Sequence, residues 1–121
     1  MGYDLTLLAG TVHEKLPRED RCRFSVKSTF DYRLGYKAAI MGLKPEDPVA
    51  VYFWPPATRG KEQVTKDKYG TECVAVEDKA VLAALKKDAR TSDYLNAAWL
   101  WAEAIAKGAA PDEVRFVLWG H

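Results

Sequence analysis

The stretch SDYLNAAWLWAEAIAKG, Ser92 to Gly108, decides how the rest of the chain must be arranged. Alanine and leucine dominate it, and neither Pro nor Gly interrupts it before Gly108. Ser92 or Asp93 is placed to accept a hydrogen bond from a first-turn N–H. Gly108 stands where a left-handed residue closes a helix, with Lys107 in the last turn facing the negative end of the dipole. The pattern therefore predicts a helix. Wound at about 100° per residue, it sets Asn96, Glu103 and Lys107 in a narrow polar stripe, with Asp93 beside it and Leu100 inside it. Everything else is apolar. Tyr94, Ala98, Trp101 and Ile105 point broadly opposite the stripe. Leu95, Ala102 and Ala106 cover one flank with Trp99 at its edge, and Ala97 and Ala104 cover the other. An ordinary surface helix has an apolar stripe on a polar cylinder, and this one is the inverse. Its stripe is expected to face water. Trp99 and Trp101 point about 160° apart, so the two need different neighbours.

Working outward, Asp78 is a plausible N-cap for a helix over Lys79–Arg90, whose Val81, Leu82, Leu85 and Ala89 form an amphipathic stripe. Only residues 91–92 separate it from the next helix, which predicts an αα-hairpin. After a loop at Ala109–Glu113, Val114–Trp119 reads as a strand with Val114, Phe116 and Leu118 on one face and Arg115, Val117 and Trp119 on the other. Upstream, Thr71–Val76 is expected as a strand. So is Val49–Trp54, which Pro55 and Pro56 stop and whose two faces are both apolar. Between them, Ala57–Gly70 is polar and basic, either a loop or a hairpin arm turning at Asp67–Gly70.

Near the N-terminus, Tyr3, Leu5 and Leu7 alternate with polar residues, and the pattern extends toward His13. Cys22, Phe24 and Val26 alternate with charged and polar residues in a half-buried strand that pairs with it in a long-looped hairpin. Ser28 to Gly42 is expected as a helix, since Ser28 and Asp31 resemble a capping box and Phe30, Leu34, Ala38 and Met41 share a face. The alternative is that the strand continues to Tyr32 and a shorter helix starts near Gly35. The order predicts a single α+β domain over 1–121. Its expected form is a two-layer sandwich, with a mixed or antiparallel sheet of about five strands packed against two or three helices.

The 121 residues are enough for a core without disulfide or metal staples, and 48% apolar content is that of a globular protein. A net charge of +1 offers no global field for nucleic acid or membrane. Cys22 and Cys73 do not form a disulfide framework, so free thiols in a reducing, cytoplasmic setting are expected, with a single disulfide as the lesser alternative. The N-terminus lacks a signal-peptide pattern and no apolar run is long enough to span a bilayer.

Four functional readings compete. His13, Cys22, Cys73 and His121 are not at metal-ligand spacing, and no cofactor is expected. Nucleophile, phosphate-loop and dinucleotide motifs are missing, which leaves an enzyme only through an unrecognised site. Arg59, Lys61, Lys66 and Lys68, near Tyr69 and Trp54, resemble a cationic loop beside stacking surfaces, although acidic residues interrupt the charge. The feature that departs most from expectation is excess apolar surface. One layer boundary cannot hide strands apolar on both faces and a helix apolar nearly all round. Some of Tyr52, Trp54, Trp99, Trp101 and Trp119 are therefore expected on a surface that binds a protein partner or a second copy. The reading adopted is a non-catalytic protein–protein interaction domain. Nucleic-acid binding is the alternative, and a small enzyme the third.

Overall fold

The computed structural model describes residues 3–15, 20–32 and 48–121. Among them are five strands: β1 (Leu5–Lys15), β2 (Cys22–Tyr32), β3 (Val49–Tyr52), β4 (Val74–Glu77) and β5 (Val114–Gly120). Two helices, α1 (Asp78–Asp88) and α2 (Thr91–Ala106), form the expected hairpin. The chain is thus an α+β domain with one mixed sheet of five strands and a helix pair. The sheet curls until it meets itself, in the order β1-β2-β3-β4-β5 and back to β1. The pairs are antiparallel except β2 with β3, which run parallel and meet only at Cys22–Val51 and Arg23–Tyr52.

Curling gives the sheet an inside and an outside, and each has its own core. Leu8, Phe24, Val51, Phe53, Cys73, Ala75, Val117 and Trp119 fill the inside, with every strand contributing. Phe53 meets Phe24 and Trp119 edge to face, each pair with ring centroids 6.0 Å apart. Outside, Leu7, Ala9, Val76, Val114 and Phe116 pack against Val81 and Leu85 of α1 and Ala97, Leu100 and Ala104 of α2. The helix α1 lies on β4 and β5 while α2 lies mainly on β1 and β2. The alternation of β5 is satisfied on both sides, with Val114 and Phe116 outward under the helices and Val117 and Trp119 inward.

The strand β2 runs through Ser28 to Tyr32, where a helix start was expected from Ser28 and Asp31. The cause is a bulge. Ala9 pairs with Ser28 and Gly10 with Val26, so Lys27 is an extra residue that breaks the alternation seen from Cys22 to Val26. Beyond it, Ser28 and Phe30 face the helices, and the Ser28 hydroxyl donates to the Leu100 carbonyl at 3.1 Å. Gly10 sits opposite the bulge, and a methyl group there would overlap the Ser25 carbonyl. The remainder of the expected helix to Gly42, residues 43–47 and residues 16–19 lie outside the described residues.

The stretch after β3 is a hairpin arm. A 3-10 turn at Pro56–Thr58 precedes isolated bridges pairing Phe53 with Val64 and Lys66 with Glu72. Its tip is held by Asp67, whose Oδ1 accepts from the backbone N–H of Tyr69 at 2.9 Å and of Thr71 at 2.8 Å. The helix α2 begins at Thr91, with Arg90 rather than Ser92 or Asp93 in the capping position and no side-chain cap bond. Its end is as expected, with Gly108 at φ 101° and the Ala109 N–H reaching back to the Ala104 carbonyl at 3.0 Å.

Candidate docking surface

How α2 is turned on the sheet decides which aromatic side chains reach solvent. Its buried residues are Asp93, Ala97, Leu100 and Ala104. The helix is therefore rotated so that Leu100, which lies within the polar stripe, points straight at β1 and β2. Asn96 and Glu103 are half-buried at one edge of the contact, and only Lys107 of the stripe is fully out in water. The expectation that the stripe faces water is thus overturned. The physical reason is size: Ala97 and Ala104 let the backbone approach the sheet closely, and no tryptophan fits in that gap. The consequence appears on the far side of the helix. Leu95, Trp99, Ala102 and Ala106 face outward together, with Leu95 58% and Trp99 55% exposed.

The other aromatic candidates have neighbours within the chain. Trp119 is buried inside the sheet and stacks on His121 with ring centroids 3.8 Å apart. Tyr52 is buried, with the Trp54 ring edge-on at 5.6 Å. Trp101 is half-buried at the flank of α2, and its indole Nε1–H donates to Asp78 Oδ2 at 2.7 Å. Asp78 is the first residue of α1, with Glu77 rather than Asp78 in the capping position; its Oδ1 accepts from the Lys79 N–H at 2.7 Å, and the same buried carboxylate ties α2 to α1. Trp54 is 37% exposed, with the Arg23 guanidinium 5.2 Å above its ring. Of the tryptophans, Trp99 is the most exposed, and it has an exposed leucine one turn away on the same face.

The basic candidates are strung along the arm. Arg59 and Lys61 follow the 3-10 turn, with Arg59 in the left-handed region at φ 57°. Lys66 and Lys68 lie further along the arm, where Lys66 pairs with Glu72 and the Lys68 N–H donates to the Gly120 carbonyl. All four are exposed, with Glu62 and Glu72 among them.

A cleft of about 350 Å³ lies between the arm and the start of β2, lined by Asp20, Arg21, Tyr52, Gln63, Thr65 and Glu72. Arg21 spans it, donating to Glu72 at 2.9 Å and, more weakly, to the Thr65 carbonyl at 3.4 Å. Arg21 and Glu72 are thus engaged in fastening the arm to the start of β2. A second polar cluster, missed in the sequence, joins Thr6, Asp31 and His121. The Thr6 hydroxyl donates to Asp31 Oδ1 at 2.8 Å, so its oxygen accepts from His121 Nε2, 2.9 Å away. In that arrangement the imidazole donates to Thr6 and does not draw a proton from it, which suits a clasp rather than an activated nucleophile. Nothing in the local sequence signals this cluster, because its members come from β1, β2 and the residue after β5.

Among the described residues, no three His, Cys, Asp or Glu side chains converge as metal ligands would. His13 is bonded to Ser25. Cys22 and Cys73 are both free thiols. They flank Val51, which pairs with Cys22 on one side and donates to the Cys73 carbonyl on the other. Two strand spacings, roughly 9–10 Å, separate them, and a disulfide tolerates only about 7 Å between Cα atoms. The lesser alternative of a disulfide is thereby removed. No described helix is long and apolar enough to cross a membrane.

No family model, curated protein or solved structure matches the chain.

Proposed function

We propose that this chain is a protein-binding domain that docks through the outer face of α2, with Leu95 and Trp99 as its anchors. One observation carries the reading. The helix turns one apolar flank, Leu95, Trp99, Ala102 and Ala106, to solvent while Asn96 and Glu103 of its polar stripe are half-buried at the edge of the sheet contact, which is not what water alone would select. Leucine and tryptophan at i and i+4 form a contiguous apolar ridge. Tryptophan is among the residues that most often dominate binding energy when desolvated. Tyr52, Trp101 and Trp119, considered with Trp54 and Trp99 from the sequence, serve the fold instead. The free thiols of Cys22 and Cys73 suit a reducing compartment such as the cytoplasm.

The test uses the whole chain as bait, wild type beside Trp99→Ala, in an extract of its source. Proteins retained by the wild type and lost from the variant, with the variant's circular dichroism unchanged, are the expected result. Equal retention by both baits rejects α2 as the docking surface.

A second reading, nucleic-acid binding, draws on the exposed Trp54 beside Arg23, with Arg59 and Lys61 following on the same arm. It requires heparin retention that falls with salt and drops when Arg59 and Lys61 are replaced by Ala.

A further inference from the structure

We infer that the occupant of the α2 face is a second copy of this chain, docked antiparallel across a twofold axis midway between Leu100 and Trp101. The inference rests on the docking surface proposed above and names its partner. The order of residues on the exposed ridge is large, large, small, small: Leu95, Trp99, Ala102, Ala106. Trp99 and Ala102 lie equally far from the point midway between Leu100 and Trp101, and so do Leu95 and Ala106. A twofold axis there sets Trp99 of each copy on Ala102 of the other, and Leu95 on Ala106. Each bulky side chain thus meets a small one, which is the self-complementarity an isologous contact needs. Parallel docking in register would stack Trp99 on Trp99 and leave the alanines facing a void.

The rim agrees with the same axis. Asn96 and Glu103 are symmetric about a point within one residue of that midpoint, as are Ser92 and Lys107. The Glu103 carboxylate therefore meets the Asn96 amide of the second copy, and Lys107 meets its Ser92 hydroxyl. No like charges oppose each other, and antiparallel helices also align their dipoles favourably. The ridge spans about 16 Å along the helix. Two large side chains per copy cover less than the roughly 800 Å² per partner of a standard interface, so the dimer is weak and depends on concentration.

Sedimentation of the full chain from about 1 µM to about 1 mM tests this, with circular dichroism as the control for folding. The mass should rise from 13.6 kDa toward twice that value. Trp99→Ala removes the knob, and Ala102→Trp opposes it with a second one. Each should weaken association by about tenfold or more. The double variant Trp99→Ala/Ala102→Trp exchanges large and small and should recover most of the affinity. A double variant no better than the single ones overturns the antiparallel register, and a Trp99→Ala protein that associates like wild type overturns the interface. A wild type that stays at 13.6 kDa at about 1 mM overturns the second copy as occupant. If Trp99-dependent capture of another protein persists in that case, the docking surface itself stands, and if it is also lost, both readings fall.

Discussion

Trp101 and Trp99 are two residues apart and do opposite jobs. Trp101 gives its indole N–H to a buried carboxylate, so Trp101→Phe keeps most of the ring and strands Asp78 Oδ2. The expected cost is about 1–3 kcal/mol, read from the urea midpoint. Trp99→Ala on the exposed face should change stability by no more than about 0.5 kcal/mol in the same measurement. Gly10 is a third position with a sharp expectation. A Cβ there collides with the Ser25 backbone, which cannot swing aside as a side-chain tip can, so Gly10→Ala should cost about 1–3 kcal/mol.

Cys73 titrates far from its ordinary range. Burial chiefly, then the Asp67 charge, lifts its thiol from 9.0 to about 12. Between those values the unfolded chain has lost a proton that the folded chain keeps. Stability is therefore undiminished below pH 9 and falls as pH rises toward 12, by up to about 1.4 kcal/mol per unit for one proton. Tyr3, raised by burial and by Asp67, adds to the loss above pH 10. Thermal melts between pH 8 and pH 10 should show this decline in the wild type and a flatter curve in Cys73→Ala.

At the scale of elements, both helices, the hairpin between them and the two-faced patterns of β3 and β5 were legible. In each, hydrophobic period and secondary structure agree. The far half of β2 was legible only as the alternative in which the strand continues to Tyr32, because the bulge at Lys27 shifts the alternation by one residue, and a phase break looks like the end of a strand. The rotation of α2 was legible only in part. A polar stripe ordinarily marks the wet side, and Leu100 within it was the single sign to the contrary. Small size at Ala97 and Ala104 outweighed polarity at Asn96 and Glu103, a packing effect that a helical wheel does not weigh. The two-faced strand and helix patterns pointed to more apolar surface than one layer boundary hides; the curled sheet buries much of it in two cores, and which tryptophan is left exposed depended on that rotation. The tie between β2 and α2 can be tested at Ser28. Removing its hydroxyl leaves the buried Leu100 carbonyl without that donor, and Ser28→Ala should lower stability by about 1 kcal/mol.

The whole molecule answers the question raised by strands apolar on both sides. By curling, one sheet makes two cores, so a chain of 121 residues buries both faces of β5 without a second sheet. The curl is not uniformly strong. The strand β1 has long antiparallel partners on both sides, whereas β2 with β3, β3 with β4 and β4 with β5 each meet in only two residue pairs. Hydrogen exchange should therefore protect the amides of β1 and β5 longest, and those of β3 and the following arm should exchange first. Equal protection around the ring would show that the short seams on either side of β3 are as strong as the long ladders of β1.

The four tryptophans also give the molecule four optical environments. Trp119 lies against an imidazole, Trp101 points its N–H at a carboxylate, Trp54 lies beneath a guanidinium, and Trp99 stands in water. Trp99 accordingly supplies the reddest emission of the folded chain, and whatever covers it must shift that component to shorter wavelength. The residue on which docking depends is thus its own fluorescent label, and occupancy of the α2 face can be followed without attaching a dye.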